Sequence, residues 1–312
     1  MSNYRIILIL KGIAIGVANI IPGVSGGTIA LITRVYTPLL SCIKKINIKS
    51  VKMLFKFKFK EFKKYTNFDI FLFCGIGVLL GVIIYSSILT NVLKINPNED
   101  SPPQLMGFFF GLILASIFYV FKRIQKLNFM NYIILFTGIL IAVFLYMISV
   151  NTEPGNNDYS NYLYIFISGI IGVCGMILPG LSGSFILLIM DNYFLITTSV
   201  DKTKKFIFGS HDFMPEDIKY VYILLVFLAG TVTGVLLFSN IIYWFYNKYT
   251  NSTLSLLTGF IIGSLLIIWP WINNSNVMYI PREFSLENIS TVLCIVIGIV
   301  SIYFLEKTSV SQ

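Results

Sequence analysis

The chain lacks most of the residues that soluble enzymes use for chemistry. It has one histidine, His211, four cysteines without CxxC spacing, and only 12% charged residues against about 25% in a soluble domain. A serine hydrolase needs a base beside its serine, and no lysine lies within the apolar part of any segment. No acidic cluster indicates a sodium or metal site. These absences argue against an enzyme, a catalytic residue, a metal and a cofactor.

Apolar residues dominate instead, at 56% of the 312 residues. Runs of about 20 apolar residues, enough to cross a bilayer, recur from one end of the chain to the other. The eight hydrophobic segments are 12–40, 68–94, 104–121, 130–150, 161–197, 219–246, 253–273 and 288–305. The sequence therefore predicts an all-α polytopic membrane protein without a separate soluble domain.

The net charge of +9 would suggest nucleic-acid binding if it were spread over the chain. It is concentrated in the loop 41–67, which holds nine lysines against one acid, Glu61. Lysines that alternate with phenylalanines, as in 55–60, are typical of a segment that binds anionic membrane lipids. A solvated loop that only fixes the orientation of the protein would have the same composition. We expect no nucleic-acid partner.

The last four segments repeat the first four. The motif Ile21-Pro22-Gly23-Val24-Ser25-Gly26-Gly27 recurs as Leu178-Pro179-Gly180-Leu181-Ser182-Gly183-Ser184, and later glycine pairs recur too (Gly77 and Gly81 as Gly230 and Gly234, Gly107 and Gly111 as Gly259 and Gly263). We assign one repeat to 1–150 and the other to 151–312. Small residues spaced four apart let helices pack closely in lipid, so we expect the later glycines to lie between helices.

The two Pro-Gly breaks indicate hairpins. They leave backbone groups unpaired at a depth where lipid cannot satisfy them, so this backbone must face protein or water. The arms beside the first break have about 10 to 16 residues, and such an arm reaches about half of a 30 Å core. We predict re-entrant helical hairpins at 12–40 and 161–197, each followed by three transmembrane helices. This odd number of crossings inverts the second repeat, with loop 41–67 on the cytoplasmic side. If both broken segments cross fully, the repeats are parallel and eight segments span.

Hairpin tips of this kind favour anion binding. Ser25 and Ser182 are expected to cap the arm that follows each break, and the glycines leave backbone N–H groups open to a phosphate or carboxylate. Moving an ion into hydrocarbon costs tens of kcal/mol, whereas a hydrogen bond to a charged group returns about 1.5–3 kcal/mol, so both tips are needed. Broken helices that meet at mid-membrane depth are also typical of secondary transporters.

The motif residues resemble a known family. Ala18 to Thr28 with Tyr36, repeated as Ile177 to Phe185 with Tyr193, resembles the signature of the bacterial polyprenyl-phosphate (undecaprenyl-phosphate) transporters of the PopT type. Arg34 and Asp191 depart from that pattern, in which a glycine is more usual before the tyrosine. Arg34 would either escort an anionic headgroup or extend towards the membrane interface.

The resemblance implies a flippase of the bacterial cell membrane. It would move undecaprenyl phosphate from the outer to the inner leaflet for recycling in cell-wall (peptidoglycan) synthesis. The candidate headgroup-binding residues are Asn19, Pro22, Gly23, Ser25, Gly26, Gly27, Thr28, Arg34, Pro179, Gly180, Ser182, Gly183 and Ser184. The alternative is a channel or exchanger for a small inorganic anion. A lipid carrier needs a groove open to the bilayer, whereas an anion path needs a closed pore.

Overall fold

The computed structural model describes residues 2–20, 25–87, 102–150, 161–207, 209, 214–272, 278–281 and 283–310. Pro22 and Gly23, at the first break, lie outside these residues, as does His211. The described residues form α1 (Ser2–Ile20), α2 (Gly26–Ile32), α3 (Tyr36–Lys44), α4 (Ile48–Phe55), α5 (Phe59–Thr66), α6 (Phe68–Ser87), α7 (Pro103–Phe121), α8 (Phe129–Val150), α9 (Tyr162–Ile177), α10 (Gly183–Ile189), α11 (Tyr193–Ile207), α12 (Ile218–Lys248), α13 (Thr250–Ser264) and α14 (Leu286–Val310).

Several of these helices are long and apolar enough to cross a membrane. Four qualify on their own within the described residues, in the ranges Pro103–Phe121, Phe129–Ile148, Pro215–Lys248 and Leu286–Tyr303. Seven qualify if each of three sharply bent helix pairs counts as one span. The prediction of an all-α polytopic membrane protein is confirmed.

The long helices pack as four pairs. α1 packs against α6 and α9 against α12, each within one half, whereas α7 packs against α14 and α8 against α13, between the halves. A glycine stands against the partner's backbone at each crossing: Gly77 against Ile9, Gly230 against Phe166, Gly111 against Ile295 and Gly259 against Leu135. A side chain at these positions would push the helices apart. The predicted role of the later glycines in helix packing is confirmed.

Equivalent helices of the two halves run in opposite directions. The Cys42 thiol contacts the carbonyl of Asn67, and Lys44 lies over the ring of Tyr243. These contacts place the start of α6 and the end of α12 on one face, which also carries α4 and α5 and which we call the basic face. Because α6 leaves this face and α12 arrives at it, the two equivalent helices are antiparallel.

Each broken segment returns to the face from which it came. Arg5 of α1 lies over the ring of Phe73 near the start of α6, so α1 begins at the basic face. α2 ends at the same face, where Arg123 of the α7–α8 turn contacts the Leu31 carbonyl. In the second half, the Tyr164 hydroxyl near the start of α9 donates to the Met190 carbonyl at the end of α10. Both segments therefore have the shape of a hairpin. The second hairpin comes from the face opposite the basic face, because α9 runs parallel to α12, with Phe166 against Gly230 and Ile170 against Gly234.

The predicted arm lengths were wrong. The first hairpin begins at Ser2 rather than at residue 12, because the apolar residues that follow Arg5 extend the helix. α1 has 19 residues and α9 has 16, whereas the returning helices α2 and α10 have only seven each. Each returning helix ends at a sharp bend, of 107° before α3 and of 116° before α11.

The two bends share one backbone motif. Arg34 and Asp191 have φ values of 61° and 53°, in the left-handed region that favours glycine. At the first bend, the N–H of Arg34 donates to the Leu31 carbonyl and that of Val35 to the Ala30 carbonyl, which is a Schellman motif. Asp191 and the residue after it repeat this pattern. A glycine at either position would adopt this conformation without strain.

Two glycines of α6 provide a matched test of helix packing. Gly77 contacts the backbone of α1, whereas an added Cβ at Gly75 would meet nothing within 4 Å. We predict that Gly77→Ala separates α1 from α6 and destabilises the protein by about 1–3 kcal/mol. Gly75→Ala should be neutral or slightly stabilising, because alanine favours a helix. Thermal unfolding in detergent measures both, and equal midpoints for the two variants would disprove the proposed contact.

Candidate functional site

The tips of the two hairpins contact each other. The N–H of Gly180 donates to the Thr28 hydroxyl at 2.9 Å, and the Ser25 hydroxyl donates to the Leu178 carbonyl at 3.3 Å. Thr28 is fully buried and Ser25 is 3% exposed. Side chains of the first tip thus supply hydrogen bonds that the broken backbone of the second tip requires and that lipid cannot provide.

The predicted capping role of the two serines was wrong. Ser25 and Ser182 hold the N-cap positions of α2 and α10 with extended backbones, but neither side chain makes a capping hydrogen bond. Asn19 accepts from the N–H of Gly26 at 3.1 Å instead, and Ser182 pairs with the Ser184 hydroxyl at 2.8 Å. The Ser25 hydroxyl donates to the Leu178 carbonyl of the opposite tip, and Asn19 takes the capping role.

Two features explain why residue 180 is a glycine. Its φ of 86° lies in the left-handed region, and an added Cβ would collide with the backbone of Phe260 and Ile261 in α13. Pro179 and Gly180 are both buried. This part of the second motif therefore packs the tip against α13.

A cavity of about 220 Å³ lies beside the joined tips. Its polar lining consists of Asn19, Ser25, Ser182, Ser184 and Thr231, and its apolar lining includes Met176, Leu181, Leu187 and Phe227. Among the described residues that line it, none is charged. An occupant therefore meets hydroxyl, amide and backbone groups on one side and hydrocarbon on the other.

The cavity reaches the apolar surface of the molecule. Met176 lines it and is 49% exposed. On α12, Leu228 and Val232 follow the lining residues Phe227 and Thr231 and are 46% and 58% exposed. In a membrane-spanning helix, such exposed apolar side chains face lipid. The mouth of the cavity is thus flanked by lipid-facing side chains.

The structure separates the predicted site residues into three groups. Asn19, Ser25, Ser182, Gly183 and Ser184 line the cavity; Gly26, Gly27, Thr28, Pro179 and Gly180 lie in the hairpin tips behind it; and Arg34 lies at the basic face in a different pocket. Pro22 and Gly23 are outside the described residues. The Thr28 hydroxyl already accepts a hydrogen bond from the N–H of Gly180, so its observed contact joins the two tips.

Two residues of the site were missed by sequence reasoning. Thr231 lines the cavity from α12, and Arg123 donates to the carbonyls of Leu31 at 2.8 Å and Ile32 at 3.0 Å, at the end of α2. The only signal for Thr231 is a hydroxyl within an apolar segment. Arg123 belongs to a polar turn far from the motif in sequence, so nothing linked it to the first hairpin.

Two hairpins that come from opposite faces and meet beside a cavity open to lipid form the architecture of a membrane transporter. The family model described as "Undecaprenyl phosphate translocase-like" matches residues 15–282. The chain belongs to this family.

Two relatives share most of the chain. A polyprenyl-phosphate transporter of Vibrio cholerae is 37% identical over 268 residues, which cover 84% of this chain and 77% of the relative. A polyprenyl-phosphate transporter of Staphylococcus aureus is 28% identical over 286 residues, or 89% of this chain and 91% of the relative. No solved structure matches the chain. The resemblance read from the motifs is confirmed: the chain is a multi-pass bacterial membrane protein from a family of transporters, not of enzymes.

The contact between the tips is tested at Thr28. Thr28→Val keeps the shape of the side chain but leaves the buried N–H of Gly180 without its partner, which costs about 1–3 kcal/mol. Thr28→Ser keeps the hydroxyl and serves as the control. We expect a lower thermal unfolding midpoint for valine than for serine in the purified protein. A valine variant as stable as the serine variant would show that this hydrogen bond does not hold the tips together.

Proposed function

We propose that this protein moves polyprenyl phosphate, and specifically undecaprenyl phosphate, from the outer to the inner leaflet for reuse in cell-wall polymer synthesis. The phosphate headgroup occupies the cavity beside the hairpin tips while the prenyl chain stays in the bilayer. The family, the names of the two relatives and the shape of the cavity support this function.

The lateral opening of the cavity is the observation that favours a lipid over an inorganic anion. A path for a small ion is enclosed by protein, because hydrocarbon at its wall would raise the cost of the charge. Here Met176 is at once a lining residue and a surface residue, and lipid-facing leucine and valine side chains flank the mouth. A prenyl chain can leave such a cavity sideways without losing contact with lipid.

The polar side of the cavity suits a phosphate. The Ser182 and Ser184 hydroxyls are hydrogen-bonded to each other at 2.8 Å, so one of them can still donate its proton to an anion. The first N–H groups of α10 have no partner within their own helix. α10 has only seven residues, so its dipole adds little and these individual donors matter most. Each hydrogen bond to the anion contributes about 1.5–3 kcal/mol, and water supplies the remaining solvation.

The two halves differ in a way that suits transport by alternating access. We infer that 1–150 and 151–312 are inverted repeats, as the antiparallel α6 and α12 support. The repeat equivalents of the cavity residues Gly172, Leu187 and Phe227 are Ile15, Ala30 and Cys74, which are 7%, 5% and 1% exposed. The cavity is therefore open in the second half and closed in the first. If the first half opened while the second half closed, the headgroup would move towards the basic face.

Hydroxyl groups of the cavity are the first target for mutation. We predict that Ser182→Ala combined with Ser184→Ala lowers the rate of leaflet transfer of polyprenyl phosphate in proteoliposomes by at least about tenfold, because one lost hydrogen bond to an anion is worth about that factor. Thr231→Val should lower it less, because the Thr231 hydroxyl already donates its proton to the Phe227 carbonyl.

Thr233 provides the matched control on α12. Thr231 and Thr233 both donate to the carbonyl four residues earlier, but only Thr231 lines the cavity. Thr233→Val should transfer lipid at the wild-type rate. Normal transfer by the double serine variant would exclude this headgroup site, and a wild-type protein that carries chloride or phosphate without moving lipid would favour the anion path.

The loop 41–67 supports a second part of the proposal, contact with anionic lipids. It forms α4 and α5, and Phe55 and Phe57 at their junction are 81% and 79% exposed between lysines. Lys58 is paired with Glu61 at 2.8 Å, but the loop keeps a large positive excess. Exposed phenylalanines insert into the interface while each lysine near an anionic surface contributes about 1 kcal/mol.

A fluorescent reporter tests this contact. We predict that Phe55→Trp is quenched by brominated lipids more strongly in anionic than in zwitterionic nanodiscs, and that high salt reduces the difference because it screens the lysines. The same variant with Lys56→Gln, Lys58→Gln and Lys60→Gln is the control and should show a smaller difference. Equal quenching in anionic and zwitterionic nanodiscs would contradict the lipid contact. The loop would then be a solvated segment that only fixes the orientation of the protein.

A further inference from the structure

A second pocket lies at the basic face, on the far side of α2 from the cavity. Its volume is about 410 Å³, and it lies between the α2–α3 bend and the α7–α8 turn. Arg34, Lys122 and Arg123 line it together with Tyr36 and Tyr246. Among the described residues that line this pocket, three are cationic and none is acidic. The pocket therefore has the charge of an anion site.

Arg123 is held in place within this pocket. Its two terminal nitrogens donate to the carbonyls of Leu31 and Ile32 at 2.8 and 3.0 Å. A guanidinium has its N–H donors in a fixed plane, so these two contacts fix its orientation. Its charge thus lies at the end of α2, which separates the pocket from the tips.

Tyr36 gives an independent indication of a ligand. The residue lines the pocket, is 4% exposed, and has a buried hydroxyl without a hydrogen-bond partner among the described residues. A buried polar group left without a partner costs about 1–3 kcal/mol, so such groups usually serve a ligand, a water or another conformation.

The repeat adds a third observation. Arg34 and Asp191 occupy equivalent bends, with φ values of 61° and 53°, at opposite ends of the molecule. Equivalent positions of the two hairpins therefore carry opposite charges. A phosphate is attracted to the bend at the basic face and repelled at the other.

We infer that the pocket at the basic face is a second phosphate site, which holds the phosphate monoester of the lipid after it has passed α2. This inference rests on the proposed function for the identity of the lipid. The same pocket chemistry would bind inorganic phosphate, so both sources are tested. The opposite charges of Arg34 and Asp191 make the two ends of the path different for a phosphate.

Protection of an introduced cysteine tests occupancy of this pocket directly. Gln125 lines the pocket and is exposed, so Gln125→Cys provides a site for maleimide in the full-length protein in nanodiscs. The wild-type protein has four cysteines, so its maleimide labelling is measured separately and subtracted. We expect farnesyl phosphate to slow the modification at least threefold, and inorganic phosphate to slow it less at the same concentration.

Two charge-removing variants are then compared in this background. Arg34→Gly with Lys122→Gln removes two charges from the pocket, and glycine accepts the left-handed backbone at 34. Lys56→Gln with Lys58→Gln removes two charges from the loop on the same face. Farnesyl phosphate should no longer protect the cysteine at 125 in the variant with Arg34→Gly and Lys122→Gln. It should still protect this cysteine in the variant with Lys56→Gln and Lys58→Gln.

Each outcome supports or overturns the second phosphate site. Equal protection by both probes supports the pocket as a site for free phosphate, and protection by farnesyl phosphate alone supports the lipid headgroup. No protection by either probe, or unchanged protection after Arg34→Gly with Lys122→Gln, overturns the second site. Leaflet transfer by the wild-type protein is measured in parallel. Transfer by the wild-type protein without protection of Gln125→Cys removes only this inference, whereas a lack of transfer by the wild-type protein removes the proposed function.

Discussion

Backbone polar groups at the helix breaks need hydrogen-bond partners at a depth where lipid offers none, and the structure satisfies this need between the two hairpins. Gly180 donates to Thr28 and Ser25 donates to Leu178, across 152 and 153 residues of the chain. These bonds hold both tips at the same place, which the hairpins reach from opposite faces. The cavity lies beside this junction.

A scaffold of paired helices holds the hairpins in that position. Two of the pairs join one half to the other, so the halves cannot separate without breaking α7 from α14 and α8 from α13. Glycines at the crossings bring backbones into contact, which provides close packing where no hydrophobic force acts between helices in lipid. The scaffold therefore fixes the depth of the tips, while the seven-residue helices α2 and α10 are short units that end in sharp bends.

Function arises where the two halves differ. The cavity lies beside α10, whereas Ile15, Ala30 and Cys74 beside α2 are buried. The bends have the same backbone but carry Arg34 in one half and Asp191 in the other. A symmetric pair of hairpins would treat both membrane faces alike, whereas these differences distinguish them. In a transporter, such an asymmetry separates the two ends of the path.

Local patterns in the sequence were enough for the membrane class, the hairpins, the glycine contacts and the family, because apolar run length, Pro-Gly breaks and a repeated motif are properties of neighbouring residues. The lengths of the arms were not predictable, since a left-handed bend at Arg34 or Asp191 has no signal without the usual glycine. The role of Ser25 depended on a carbonyl 153 residues away, and Thr231 and Arg123 reached the site only through helix packing. Tertiary structure alone decided these, because a buried hydrogen bond or cavity wall depends on which distant groups folding brings together.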